Sequence, residues 1–86
     1  MTQNRRQIME EIEQQLNNGD IEFGEAIKTL RKDITGLRQQ EFAKLCGVSL
    51  RTLAQIESGR GNPTIKTLNQ LLRLFGMKVG ITMARK

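Results

Sequence analysis

Apolar residues along the chain fall into five segments with the spacing of amphipathic helices, followed by one segment with the spacing of a strand. In the first five segments they recur at every third or fourth position, which places them along one face of an α-helix. These segments predict helices at residues 5–16, 21–34, 39–46, 50–57 and 65–75. The pattern therefore predicts an all-α fold of about five helices with one short C-terminal strand.

Capping residues set the predicted ends of these helices. Short polar side chains bond the free N–H groups at a helix start, and glycine adopts the left-handed conformation that closes a helix. The predicted N-caps are Asp20, Ser49 and Thr64, and the predicted closing glycines are Gly19, Gly47, Gly59 and Gly76. The chain thus divides into an N-terminal amphipathic helix in residues 1–19, a helical domain in 20–76 and a tail in 77–86.

The tail alternates apolar and other residues, which is the period of a strand with one buried face. Met77, Val79, Ile81 and Met83 share that face. No other segment has this period, so a strand here has no partner in its own chain for its main-chain N–H and C=O groups. We therefore expect the tail to pair with its own copy, in an antiparallel ribbon at the centre of a homodimer.

Composition narrows the class of protein. The 86 residues make one small domain, no apolar run approaches the roughly 18 residues that cross a bilayer, and the first residues do not resemble a secretory signal. The single cysteine, Cys46, excludes an internal disulfide and suits a reducing compartment. We expect a cytoplasmic protein that makes no membrane contact.

Groups that could support catalysis are scarce. The chain has no histidine, and Cys46 has no base partner in the sequence and stands where a buried small hydrophobe is expected. The carboxylates of Glu10, Glu11 and Glu13 fall on an exposed face of the first predicted helix. The sequence therefore predicts that the protein is not an enzyme and has neither a cofactor nor a metal site.

Charge is distributed unevenly along the chain. Residues 1–33 carry five Lys or Arg against seven Asp or Glu, a net charge of −2, whereas residues 34–86 carry nine against two, a net charge of +7. A basic C-terminal part suits a polyanionic partner such as nucleic acid. A plainly solvated basic surface is the alternative.

Two short predicted helices, at residues 39–46 and 50–57, are joined by a turn of Gly47, Val48 and Ser49. This is the arrangement of a helix-turn-helix, whose second helix enters the major groove of DNA. The sequence therefore predicts a recognition helix at residues 50–57.

Exposed positions of that recognition helix hold side chains that can read bases. Arg51 can donate two hydrogen bonds to guanine, and Gln55 can form two hydrogen bonds with adenine. Leu50 or the methyl group of Thr52 can make an apolar contact with the thymine methyl group. Leu50 has no structural reason to be apolar on an exposed turn, which favours a contact surface over a solvated face.

The stretch "LRQQEFAKLCGVSLRTLAQIESGRGNPT" resembles the Xre or lambda-repressor/Cro-like helix-turn-helix family, over about residues 23–75. The positions that carry the resemblance are Leu37, Gln39, Ala43, Gly47, Val48, Ser49, Leu53, Ile56, Glu57, Gly59, Pro63 and Thr64. The resemblance implies an all-α helix-turn-helix DNA-binding domain, here with an additional N-terminal helix.

The resemblance also implies roles for single residues. Leu50, Arg51, Thr52 and Gln55 fall at base-reading positions, in agreement with their exposure. Gln39 would touch phosphate and brace the recognition helix. The residues expected along the DNA backbone are Arg38, Gln39, Ser58, Arg60, Asn62 and Lys66. The family further implies a largely buried ion pair between Arg31 and Glu57, in a register that requires an additional residue to lie in the following loop.

The chain departs from the family pattern at two places. The connection "KDITG" is one residue longer than usual, and Leu45 stands where the family has a polar residue, which suggests that Leu45 faces a partner surface. The N-terminal helix lies outside the pattern, and its apolar stripe is read as packing against the domain.

These features together predict a sequence-specific repressor that binds a palindromic operator in double-stranded DNA as a homodimer. A sharper form makes it the antitoxin of a toxin–antitoxin pair, since HipB-type antitoxins are similar in size and end in a short strand. Its second partner would then be a kinase-like toxin of the HipA kind. The alternatives are a stand-alone or phage-type Xre repressor, and a protein-interaction adaptor that kept the fold without DNA binding.

Overall fold

The structure is a computed structural model that describes residues 4–83. Its five α-helices are α1 (Arg5–Asn18), α2 (Phe23–Leu30), α3 (Gln39–Cys46), α4 (Leu50–Glu57) and α5 (Ile65–Leu72). A π-helical turn, Arg31–Thr35, continues α2, and a 3-10 turn, Arg73–Phe75, continues α5. The all-helical fold expected from the sequence is confirmed, and none of the helices in this range is long and apolar enough to span a membrane.

Two of the three predicted N-caps are confirmed. The side-chain oxygens of Ser49 and Thr64 accept the backbone N–H groups of Thr52 and Thr67, at 3.0 and 3.1 Å. Asp20, however, does not cap α2, which begins after Glu22. The N–H of Asp20 instead donates to the carbonyl of Gln15 at 2.8 Å, so it completes the C-terminal cap of α1 that the left-handed Gly19 begins.

One apolar core joins all five helices. Its members are Ile12, Ala26, Ile27, Leu30, Phe42, Ala43, Leu53, Ile56, Leu68, Leu71, Leu72 and Phe75. The rings of Phe42 and Phe75 lie 6.0 Å apart, so α3 and the end of α5 meet at its centre. Phe23, which the helical spacing places on the inner face of α2, lies at the edge instead with 36% of its surface exposed, because α2 starts there.

Most of the connection "KDITG" lies in the π-helical turn. The N–H of Gly36 donates to the carbonyl of Arg31 at 2.9 Å, a bond that spans one residue more than the α-helical repeat. The connection is therefore largely helical, and left-handed Gly36 ends it. Arg31, the first residue of this turn, is buried.

The tail leaves the domain after Gly76 and runs without turn or bend to residue 83. Met77 and Val79 are half-buried against the core, and the N–H of Val79 donates to the side-chain oxygen of Asn69 at 2.8 Å. No residue within 4–83 belongs to a strand, because no second extended segment lies beside the tail. The predicted ribbon would form only with a second chain. Residue 84, which the predicted strand includes, lies outside the described residues.

Gly24 sets how closely α2 approaches α4. A methyl group at Gly24 would overlap the backbone carbonyl oxygen of Ile56, so only glycine allows the two helices to touch here. Gly24 is buried near the end of α4, and the contact fixes the depth at which α4 sits in the domain.

We predict that Gly24→Ala destabilises the protein by about 1–3 kcal/mol, because the added methyl group must push α4 away. Chemical denaturation monitored by circular dichroism measures the loss. The matched control is Glu25→Ala, an exposed neighbour in the same helix, which should change the free energy of unfolding by no more than about 0.5 kcal/mol. Equal stability of the two variants would contradict the tight contact.

Candidate nucleic-acid interface

Helices α3 and α4 form the helix-turn-helix through a short, fixed turn. Gly47 is left-handed, with φ 76°, and the N–H of Val48 donates to the carbonyl of Ala43 at 3.0 Å, which closes α3. Ser49 then caps α4 through its hydroxyl group. The turn is also held from α5, since the side-chain amide of Gln70 donates to the carbonyl of Gly47 at 3.5 Å.

The buried and exposed faces of α4 separate cleanly. Leu53 and Ile56 are buried in the core, whereas Leu50, Arg51 and Gln55 are exposed. Leu50 keeps 46% of its surface accessible although it is apolar, which leaves it available for contact with a partner. The face turned away from the core therefore presents three of the four side chains expected to read bases.

Thr52 differs from its three neighbours on this face. It is half-buried, and its side-chain oxygen accepts the hydroxyl proton of Ser49 at 2.7 Å. Its hydroxyl group is thus part of the helix cap, and its methyl group is what remains for a thymine contact.

The segment after α4 brings several candidate side chains beside the recognition helix. The N–H of Arg60 donates to the carbonyl of Gln55 at 2.8 Å, which folds the loop back onto α4. A small open depression of about 220 Å³ is lined by Gln55, Arg60 and Asn62, among others. Thr52 lines it as well, so the structure places two predicted base readers next to two predicted backbone contacts.

Other predicted backbone contacts do not line this depression. Ser58 uses its hydroxyl to donate to the carbonyl of Gln55 at 3.0 Å, so its role here is local. Lys66 is exposed in the first turn of α5, and Arg38 is exposed immediately before α3. The cations Arg38, Arg51, Arg60 and Lys66 are all accessible to solvent.

A buried ion pair holds the end of the recognition helix. The Arg31 guanidinium donates to both carboxylate oxygens of Glu57, at 2.7 and 2.9 Å, and the two side chains are 10% and 3% exposed. This two-pronged hydrogen bond raises the pKa of Arg31 above its ordinary value. The pair expected from the family resemblance is thus present, with Arg31 held by the π-helical turn.

Two further hydrogen bonds extend the pair into a network. Arg31 also donates to the carbonyl of Leu37 at 2.7 Å, and the side-chain amide of Gln39 donates to Glu57 at 2.9 Å. The network therefore connects the end of α2, the start of α3 and the end of α4. Gln39 braces the recognition helix in this way. The negative charge of Glu57 is balanced by Arg31, at the edge of a basic surface.

Acidic side chains and one cysteine, Cys46, also lie within the described residues. Within residues 4–83 no group of three or more His, Cys, Asp or Glu side chains is arranged to hold a metal ion. Burial raises the pKa of the Cys46 thiol, which lowers its thiolate fraction. What the arrangement offers is a rigid, basic and partly apolar binding face.

Sequence reasoning missed two residues that support this face and one that holds the tail. Gly24 and Gln70 fix the depth of α4 and the turn before it, and Asn69 holds the tail. Each acts on a main-chain group distant in sequence, so residue type and spacing give no signal for them.

Comparisons with known proteins agree with this geometry. A family model described as "Helix-turn-helix" matches residues 27–81. An uncharacterized HTH-type transcriptional regulator of Methanocaldococcus jannaschii is 37% identical over 43 residues, which are 50% of this chain and 65% of that protein. The ImmF control region 10 kDa protein of Bacillus phage phi105 is 37% identical over 59 residues, which are 69% of this chain and 64% of that protein. The chain thus spans slightly less than two thirds of each relative, and no solved structure matches it significantly.

We predict that Glu57→Ala lowers the free energy of unfolding by about 3–5 kcal/mol, because it leaves the Arg31 charge buried without its partner. Thermal and urea denaturation measure the change. The control is Glu10→Ala, which removes an exposed ion pair with Arg6 and should cost less than about 1 kcal/mol. A double variant, Arg31→Met with Glu57→Leu, should recover much of the loss; a Glu57→Ala protein as stable as the parent would show that the pair is not structural.

Proposed function

Because the chain belongs to the helix-turn-helix family, we propose that it is a sequence-specific transcriptional repressor that binds double-stranded DNA. The observation that carries this proposal is the exposed face of α4, which presents Arg51 and Gln55 from a helix braced by the buried Arg31–Glu57 pair. The names of the two relatives, an HTH-type transcriptional regulator and a protein of a phage control region, support a regulatory role. A binding function fits this face, and repression follows from occupying an operator.

Base recognition is assigned to the recognition helix. Arg51 would donate to guanine O6 and N7, and Gln55 would pair with adenine N6 and N7, while Leu50 and the methyl group of Thr52 would meet thymine methyl groups. The rigid cap and core contacts of α4 support this assignment, because base readout needs side chains held in one place.

DNA-backbone contacts are assigned to the residues around the recognition helix. Cations and short polar donors beside helix ends fix the register of a protein on DNA without reading its sequence. The proposed set is Arg38, Gln39, Ser58, Arg60, Asn62 and Lys66. Gln39 can serve both as brace and as backbone contact, since one amide proton is used on Glu57 and a second remains.

We propose that the protein acts as a homodimer joined by its tails. Ile81 and Met83 are exposed at 101% and 86% although both are apolar, and the tail has no strand partner within residues 4–83. A two-fold dimer would present two recognition helices to half-sites about 34 Å apart and so read a palindromic operator.

The finer form of the proposal makes this regulator an antitoxin that represses its own operon, with a kinase-like toxin of the HipA kind as second partner. Its support is the resemblance of the chain to HipB-type antitoxins in size and in the apolar alternation of the tail. Co-expression with the product of the neighbouring gene distinguishes the forms: an antitoxin purifies with that toxin and neutralises it, while a stand-alone or phage-type repressor purifies alone.

We predict that Arg51→Ala and Gln55→Ala each lower the preference for operator over random DNA by about 1–3 kcal/mol, because they remove base-edge contacts. Arg60→Ala and Lys66→Ala should weaken operator and random DNA alike and reduce the salt slope by about 0.9 each, because each phosphate contact releases condensed counterions. Fluorescence anisotropy titrations at several salt concentrations measure both quantities.

Lys32→Ala is the charge-matched control for these variants, since Lys32 is exposed in the π-helical turn and is not among the proposed contacts. It should leave the preference for the operator unchanged. Base readout by α4 is wrong if all four site variants lose operator and random DNA to the same extent. A parent protein that binds neither DNA at low salt would support the interaction adaptor.

We predict that Ile81→Glu makes the protein monomeric at micromolar concentration and weakens operator binding by at least about 100-fold, because the two half-sites lose their linkage. Sedimentation velocity and anisotropy measure the two effects. Its helix content and thermal stability should match those of the Thr82→Glu control at low concentration, since Ile81 makes no core contact in the single chain. A dimeric Ile81→Glu protein with parental affinity would place the dimer interface elsewhere.

A further inference from the structure

The two edges of the tail are not equivalent. The N–H groups of Met77 and Val79 are bonded to the carbonyl of Leu72, at 3.2 Å, and to the side chain of Asn69, at 2.8 Å. Within residues 4–83 the main-chain groups of Lys78, Gly80 and Thr82 form no hydrogen bond, and neither do those of Ile81 and Met83, so the difference between the edges rests on Met77 and Val79. Neighbouring residues of an extended chain direct these groups to opposite edges, so one edge is turned to the domain and the other is free for a partner.

The apolar face of the tail is covered over only half of its length. Met77 and Val79 pack against the core, while Ile81 and Met83 extend beyond it and contact nothing that buries them. A second tail running antiparallel would place its own Ile81 and Met83 beside Met77 and Val79, the two residues that pack against the core. The pattern of burial thus matches two tails of opposite direction.

An open groove of about 1000 Å³ runs beside the tail. Its walls include Met9 and Leu16 of α1, Phe23 at the start of α2, and the tail itself, with Gly80 of the free edge among the lining residues. Charged side chains of α1 line the groove as well, so only part of its wall is apolar. The groove therefore borders the free edge, and its apolar part can receive the two exposed apolar residues of a partner tail.

We propose, on the basis of the homodimer proposed above, that the groove takes the tail of a second copy and that Gly80 lies opposite its own counterpart on the two-fold axis. Residues opposite each other on antiparallel strands share the same kind of edge, so a symmetric ribbon has one residue facing its own copy. Gly80 is the centre of the four alternating apolar residues of the tail, Met77 to Met83, so only this axis pairs all four with one another.

This register gives every residue a suitable partner. Val79 lies opposite the second copy's Ile81, and Met77 lies opposite its Met83, so the apolar face is continuous. A centre at Lys78 would instead place two like charges together, and a centre at Thr82 would leave Met77 and Val79 beyond the second copy's apolar residues. Glycine at the axis also lets the two main chains approach without side chains between them, a use of glycine seen within strands.

Single-cysteine cross-linking of the full chain tests the register, in a Cys46→Ala background. Gly80→Cys should form a disulfide-linked dimer at least tenfold faster than Lys78→Cys or Thr82→Cys, because the axial Cα atoms would be about 5.5 Å apart, within disulfide range. Residue 78 is four positions from its own counterpart in this register, about 13 Å, which no disulfide bridges. A Cβ at Gly80 meets nothing within 4 Å in the single chain, so the variant should fold.

Mixing the two outer variants supplies the complementary result. Lys78→Cys and Thr82→Cys proteins, equilibrated together before oxidation, should cross-link to each other, since the two positions face one another across the ribbon. Rapid self-cross-linking at residue 78 or 82 would overturn the assignment of the axis to Gly80. Absence of cross-linking in every case, from a parent that sedimentation shows to be dimeric, would overturn the tail register and leave the dimer itself intact. A monomeric parent would overturn the proposed homodimer as well.

Discussion

The buried contact between Arg31 and Glu57 is the interaction on which the binding face depends. It occupies the junction of three helices, where Leu37 and Gln39 complete the hydrogen bonding of both charged groups. A buried charge is tolerable only when it is paired and its remaining hydrogen-bonding groups are satisfied. These conditions fix the relative positions of α2, α3 and α4. The contact that compensates the two buried charges therefore also orients the recognition helix.

The remaining constraints act on α4 from its other sides. Gly24 admits the close approach of α2, Gln70 holds the turn before α4, and Leu53 and Ile56 fill the core beneath it. A helix of eight residues is marginal on its own, so its shape comes from this packing. The exposed side chains of Leu50, Arg51 and Gln55 are not part of this packing, so they remain available for the proposed contacts with DNA.

The elements outside the helix-turn-helix have a different task. Helix α1 and the tail border one groove, and Ile12 of α1 is buried in the core. In the proposed dimer this groove would bind the tail of the partner and so join two copies. Each copy contributes one short recognition helix. Recognition by such a small domain would then depend on geometry between copies as much as on contacts within one copy.

Residue spacing by itself determined the number of helices, most of their caps, the helix-turn-helix and its exposed side chains, because helical periodicity and capping are local properties. The start of α2 at Phe23 instead of next to Asp20, the π-helical turn, and the supports from Gly24, Asn69 and Gln70 were decided only by tertiary structure. In each of these cases a residue responds to a main-chain group far away in sequence or to the space left by packing. These contacts arise only when the helices pack together, so a local pattern of residue types cannot predict them.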